Sequence, residues 1–240
     1  MNYWQIVFKY FLDQGFPEAL LRFVCINSYE AFQISAFIEK RNPRAILEIG
    51  TFIGLSTGVL ALASPSDTTL VCVDPNLPVD ILARRFHYLE SRGSLWFLRN
   101  MLEQFGKFQK AVVLEGCFST LSADYRDRLI TLGGNPEAIA TVGEKVGEFA
   151  PYDLVFLDAD HCEESVYADL SLVCHYISED ALIILHDLSG DWGIHVFSGV
   201  SKFLQEHPEF SVRIHENLGF LFRHSHHIAT LVRKMYSGKM

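Results

Sequence analysis

Two stretches of this sequence finish an apolar run on an aspartate, and carboxylates placed in that way can do chemistry. Tyr152 to His161 reads YDLVFLDADH, where Leu154 to Asp158 has the composition of a buried strand with the acid last. Ala181 to Asp187 reads ALIILHD, with Ala181 to Leu185 apolar and His186-Asp187 at the carboxyl end. Neighbouring strands of a parallel sheet lie about 4.8 Å apart. Asp158 and Asp187 could therefore converge on one cation or one substrate group. Burying unpaired carboxylates is costly, so a metal, a cationic ligand or a sulfonium is their natural companion.

Such a pair needs a scaffold, and Ala45 to Ser56, AILEIGTFIGLS, supplies its first turn. Ile46, Leu47 and Ile49 form a short strand, Gly50 and Gly54 permit backbone paths closed to a Cβ, and a helix carrying Leu55, Val59, Leu60 and Leu62 follows. A strand, turn and helix in this order point backbone N–H groups at a carboxylate or phosphate above the sheet. Phe52 stands where a dinucleotide fingerprint requires glycine, and the lysine ending of a Walker A loop is missing. Instead the segment resembles motif I of the class I S-adenosylmethionine-dependent methyltransferases, in which an acid precedes the first glycine by two, as Glu48 precedes Gly50. In that register Asp74, closing Leu70 to Asp74 (LVCVD), could accept both ribose hydroxyls, while a plain turn or helix cap before Pro75 is the alternative. Ala111 to Gly116, AVVLEG, reads as a third strand, and the turn Gly116-Cys117-Phe118 would edge the adenine or simply end the strand.

Motif I, the D-A-D-H sequence ahead of a helical pattern from Glu163 to Tyr176, and a strand ending H-D together resemble a more specific group. This is the small methyltransferase family that contains sugar O-methyltransferases of macrolide tailoring and cephalosporin hydroxylase-type proteins, matched over roughly residues 28 to 222. The resemblance implies a doubly wound, Rossmann-like α/β sheet of seven mostly parallel strands, ordered 3-2-1-4-5-7-6 with an antiparallel C-terminal hairpin. It implies S-adenosylmethionine as methyl donor, bound by Glu48, Gly50, Thr51, Gly54, Ser56, Asp74, Gly116, Cys117, Phe118 and Asp158, and a hydroxyl oxygen of a small molecule as acceptor. Members commonly hold a divalent cation such as Mg2+, and by position its ligands here are Asp158 and Asp187. The family's remaining ligand falls on His186 or Leu188, neither a hard oxygen donor, so metal-assisted and metal-free versions both fit. His161 stands at the place of a proposed general base, and an imidazole of pKa about 6.5 could take a substrate proton. Its plain alternative is a cap of the following helix; Asp160 would cap or orient it. Catalysis would thus rest on His161 and Asp158. A hydroxylase-like metal enzyme or a non-catalytic donor-binding protein would share the same fold.

Composition agrees with one globular catalytic domain: 240 residues at 49% hydrophobic content can bury a large core, and strand-like runs alternate with helical ones. We expect an N-terminal helical extension over 1–43, the methyltransferase domain over 44–224 and a tail over 225–240. The formal charge of −9 argues against a nucleic-acid partner, and a basic cluster at Arg84-Arg85 reads as surface. Neither a membrane span nor a secretory signal is indicated, which points to the cytoplasm. The five cysteines lack C-x-x-C spacing and read as reduced thiols.

Residues 1 to 43 show two amphipathic patterns, with Phe8, Phe11 and Leu12 in one and Phe32, Phe37 and Ile38 in the other. They would cover the sheet or a partner chain, so a homo-oligomer is compatible. Ser28, Tyr29 and Glu30 are candidates for substrate contact. Asn135-Pro136-Glu137 reads as a helix start within an insertion. Leu188 to His195 reads as a Gly-rich loop whose Trp192 would wall a substrate or plug the core. Ser211 to His224 reads as two strands about Asn217-Leu218-Gly219, and His224, His226 and His227 as a solvated tail.

Overall fold

The computed structural model describes residues 2–80, 92–119, 123–131 and 140–224, and no helix among them is long and apolar enough to cross a membrane. Arg84-Arg85, Asn135-Pro136-Glu137, His226 and His227 lie outside those residues, as do the side chains of Asp191 and Trp192.

Seven apolar runs become seven strands: β1 (Ala45–Ile49), β2 (Thr69–Asp74), β3 (Ala111–Glu115), β4 (Tyr152–Leu157), β5 (Ile177–Leu185), β6 (Phe210–His215) and β7 (Leu218–Arg223). Their order across the sheet is β3-β2-β1-β4-β5-β7-β6, parallel except for β7, which runs antiparallel to β5 and β6. The expected fold and strand order are thereby borne out. The central strands are covered on both faces, which is why they read as unbroken apolar runs rather than alternating ones.

One layer holds helices α1 (Tyr3–Asp13), α2 (Glu18–Val24), α3 (Ser28–Arg41), α4 (Leu55–Ala63) and α5 (Ser94–Gln104); α6 (Ala123–Thr131) sets Leu129 against Cys117 and Leu77 in a small cluster of its own; the other layer holds α7 (Gly143–Gly147), α8 (Glu163–Val173) and α9 (Gly190–Glu206). Ile46, Phe156, Ile184 and Phe220 meet Phe11, Ile38, Val59 and Leu98 in the first core. Leu47, Val155, Ile183 and Leu221 meet Leu170, Val173, Val200 and Phe203 in the second. Successive residues of a strand serve opposite cores, as the two-residue period requires.

Four details differ from expectation. The N-terminal segment forms three helices, because Pro17 has no N–H to continue α1 and instead caps α2. Leu12 and Phe32 point outward, since the buried stripes are Val7-Phe8-Phe11 and Ala31-Ile34-Phe37-Ile38. Residues 190–195 are helical rather than loop: Gly193 and Gly199 serve close approach, with the Leu188 carbonyl 2.9 Å and the Glu163 carbonyl oxygen 2.7 Å from where a Cβ would stand. The β6–β7 turn centres on Glu216-Asn217, one residue earlier than read, with Glu216 left-handed at φ 53° and Gly219 already inside β7.

Candidate active site

The carboxyl ends of β1, β2, β3, β4 and β5 open into one cavity of about 620 Å3. At Gly50 the chain leaves β1 with φ +83°, and a Cβ there would overlap the Asp158 carbonyl oxygen. Only glycine lets the β1 and β4 turns come so close. Gly54, also left-handed at φ 101°, then starts α4. The turn is held from below by Asp74, whose Oδ2 accepts from the N–H groups of Thr51 (3.2 Å) and Phe52 (2.8 Å). Its Oδ1 accepts from the Asn76 N–H (2.8 Å) and the Ser94 hydroxyl (2.7 Å). Burial raises the Asp74 pKa above its ordinary value, and these four donors limit the rise.

Glu48 is wholly buried behind this turn. Its Oε1 accepts from the Ser56 hydroxyl at 2.5 Å, and the Cys72 Sγ lies 3.9 Å from Oε2. Burial pushes the carboxyl up to about 8, so it carries its proton at neutral pH.

On the other side of Gly50 the sheet's hydrogen bonding continues past the strands themselves. The Gly50 N–H donates to the Val73 carbonyl (2.9 Å), that of Asp158 to Ile49 (2.9 Å) and that of His186 to Leu157 (3.0 Å). These rungs set the reactive residues level with one another. His161 Nε2 lies 2.9 Å from Asp187 Oδ2 and 3.7 Å from Asp158 Oδ1. His186 Nδ1 lies 3.2 Å from Asp158 Oδ1 and 3.3 Å from Asp187 Oδ2, while its Nε2 lies 3.3 Å from Glu30 Oε2. The Asn217 amide donates to Asp187 Oδ1 at 3.0 Å, fixing a residue held in the left-handed region at φ 56°.

Charge dominates this cluster. Burial works to lower the His161 pKa, but hydrogen bonds to Asp158 and Asp187 outweigh it and raise it to about 9. His186 is likewise raised well above its ordinary value by Asp158, Asp187 and Glu30 against the pull of burial. Burial works upward on Asp158 and Asp187, and the two imidazoles hold both below the usual carboxylate range. At neutral pH this is an ion-paired set of two imidazolium rings among carboxylates. A protonated His161 accepts a proton only after releasing its own.

Asp158, His161 and Asp187 also each offer one ligand atom within 4.8 Å of the others, a spacing that suits a single divalent cation. The donor set is one nitrogen and two oxygens. Imidazole draws it toward the transition metals, whereas magnesium prefers oxygen alone.

A family model described as a methyltransferase domain matches residues 47–188, which takes in the glycine turn, Asp74 and the whole of β4 and β5. The chain belongs to this family. No curated protein matches it in sequence. Among solved structures, the O-methyltransferase of Bacillus cereus in complex with S-adenosylhomocysteine is 16% identical over 92% of this chain and 89% of that one, with a TM-score of 0.55. TomG of Streptomyces achromogenes, an O-methyltransferase of tomaymycin synthesis in complex with S-adenosylmethionine, is 16% identical over 92% and 88%, with a TM-score of 0.53. The Podospora anserina methyltransferase PaMTH1 bound to S-adenosylhomocysteine is 13% identical over 94% and 89%, with a TM-score of 0.58. At such identities the likeness is one of fold.

Within the methyltransferase-domain frame, the structure brings Gly50, Thr51, Ser56, Asp74, Gly116, Cys117, Phe118, Asp158, His161 and Asp187 to the cavity wall. Glu48 and Gly54 stand outside that wall, the first as a buttress and the second as the start of α4. Glu30 reaches His186, and its carboxylate also closes a capping box by accepting from the Asn27 N–H at 2.6 Å. Sequence reasoning placed His186 in a ligand slot without its ion pairs, and missed Asn217 at the site altogether. The contacts of both are made across elements far apart in the chain, and no local pattern announces them.

Proposed function

We propose that this methyltransferase-domain protein moves the methyl group of S-adenosylmethionine to a hydroxyl oxygen of a small molecule. The observation that carries the reading is the single cavity joining the glycine turn and Asp74 to the His161–Asp158–Asp187 cluster. Its volume lies within the roughly 300–1,000 Å3 of small-molecule sites. Donor complexes of neighbours with the same fold support the identity of the donor.

The turn at Gly50 and the start of α4 would receive the donor's carboxylate. Asp74 would exchange its Ser94 bond for a ribose hydroxyl. The acceptor oxygen then attacks the methyl carbon in line, the carbon–sulfur bond breaks, and its electron pair neutralises the sulfonium to a thioether. Asp158 and Asp187 hold the acceptor behind the methyl group, and such positioning supplies much of the rate. Deprotonated His161 takes the acceptor's proton on Nε2, the atom facing both carboxylates. A divalent cation held by Asp158, His161 and Asp187 would instead lower the acceptor's own pKa. The two versions exclude each other at His161, because ligation and proton acceptance use the same lone pair.

Calorimetric titration with S-adenosylhomocysteine, repeated with Mg2+, with Mn2+ and with chelator, tests this reading. Micromolar binding, about −8 kcal/mol, is expected. A heat that needs the cation selects the metal-assisted version, and absence of binding under every condition overturns the proposal.

A further inference from the structure

The cavity has a wall that neither the glycine turn nor the ion-paired cluster supplies. Residues 23–26, which end α2 and lead into α3, line it with Phe23, Val24, Cys25 and Ile26. This link lies against the acid cluster: the charges of Asp158 and His186 both act on the Cys25 thiol, and Glu30, in the first turn of α3, reaches His186. It is also pinned in place. The Trp4 indole N–H donates to the Ile26 carbonyl at 2.8 Å in the buried core, and the next residue, Asn27, is fixed by its capping box with Glu30. On this frame Phe23 is 63% exposed although it lines the cavity. Its ring is apolar surface that the fold leaves wet inside the site, and a molecule that covers it gains the hydrophobic term.

Resting on the methyl-transfer reading above, we propose that residues 23–26 form the wall that selects the acceptor, with Phe23 as its aromatic platform, and that the acceptor carries its hydroxyl on an apolar ring system without acidic groups. Charge supplies the second half of this statement. Among the described residues five aspartates line the cavity, Asp158 and Asp187 included, against two histidines, so the excess formal charge is negative. A carboxylate or phosphate brought to the acid cluster is opposed by like charge and by the loss of its water. A hydroxyl on a neutral or cationic molecule meets no such cost. Apolar and aromatic lining with a few polar groups at one end is the ordinary make-up of a site that orients a small molecule. Here the ring lies on Phe23 and Val24, and the hydroxyl points inward to Asp158, His161 and Asp187.

A set of probes that share one ring system and differ in charge tests both halves. The full chain is saturated with S-adenosylhomocysteine and titrated calorimetrically with 2-naphthol, with the cation 6-(aminomethyl)-2-naphthol and with the anion 6-hydroxy-2-naphthoate. The neutral and cationic compounds should bind, and the anion at least about tenfold more weakly than either. Phe23→Ala should weaken 2-naphthol about tenfold, the loss of one aromatic contact. Phe23→Tyr, which keeps the ring, should retain most of the affinity, and both variants should bind S-adenosylhomocysteine as the wild type does. Equal or tighter binding of the anion, absence of 2-naphthol binding, or an affinity for 2-naphthol unmoved by Phe23→Ala would each overturn the inference while leaving the donor reading intact. Failure of S-adenosylhomocysteine to bind the wild type would instead overturn the donor reading, and this inference with it. The wild-type series decides the charge preference even where a variant does not fold.

Discussion

Replacing Glu48 by glutamine should change how the stability of this protein depends on pH. In the folded chain the carboxyl is wholly buried, accepts one hydrogen bond from Ser56 and titrates at about 8. Unfolded, it returns to its ordinary value of 4.5. Between those values the folded state keeps a proton that the unfolded state releases, so stability falls as pH rises. The loss is about 1.4 kcal/mol per pH unit over about 3.5 units, or about 5 kcal/mol, and it is complete above pH 8. That is a third or more of the stability of an ordinary domain. Glu48→Gln is neutral at every pH and removes this slope. Urea unfolding of both proteins from pH 5 to 9 should give curves that cross, the wild type equal or slightly ahead at pH 5 and the variant ahead by a few kcal/mol at pH 9. Parallel curves would show that the carboxyl does not titrate near 8 and refute the reasoning.

Other perturbations follow from the geometry. Below pH 6.5 the His161 ion pair is fully present, and it is lost as pH rises through about 9; in the metal-free version turnover should climb over the same range, and His161→Ala should abolish that limb and slow turnover by about 10²–10⁴-fold. Asp74→Ala leaves four donors without their acceptor, so S-adenosylhomocysteine should bind at least about tenfold more weakly with a lowered melting temperature; unchanged binding would remove Asp74 from the donor site. Gly50→Ala combines a positive φ with overlap on the Asp158 carbonyl and should cost about 3 kcal/mol or more by chemical denaturation; a variant of wild-type stability would show that the two turns are not in contact.

Much of this site is legible in the sequence because parallel sheets write their active edge into the chain. An apolar run ending in an acid is both a strand and a statement of where its side chain emerges, so Asp74, Asp158 and Asp187 could be placed at one edge. What resists reading is coupling between elements. Glu30 and His186 meet across 156 residues, and Asn217 finds Asp187 only because β7 pairs with β5. The protonation of His161 is equally hidden, since two carboxylates from different strands set it. Glycine misleads at α9 for a physical reason: Gly193 is there for close contact with the Leu188 carbonyl, yet it looks like loop composition. Glu48 shows the reverse case, a motif residue whose position is right and whose task is support behind the wall.

Asn217 sits in the turn between the two strands at the outer side of the sheet, and it pins both Asp187 and, through its carbonyl and side chain, Leu188 and Ser189. In the proposed reading the grip on the donor, by contrast, would come from the turns after β1 and β2, which Asp74 ties together. The two halves of the proposed reaction would therefore be anchored in different parts of the domain, and local opening need not release both at once. Opening of the terminal hairpin would cost Asp187 its Asn217 tether, whereas the bonds from Thr51 and Phe52 to Asp74 involve no residue of the hairpin. On the proposed reading the hairpin would act as a safety catch: a molecule opened there would still hold its donor but could not aim an acceptor at it.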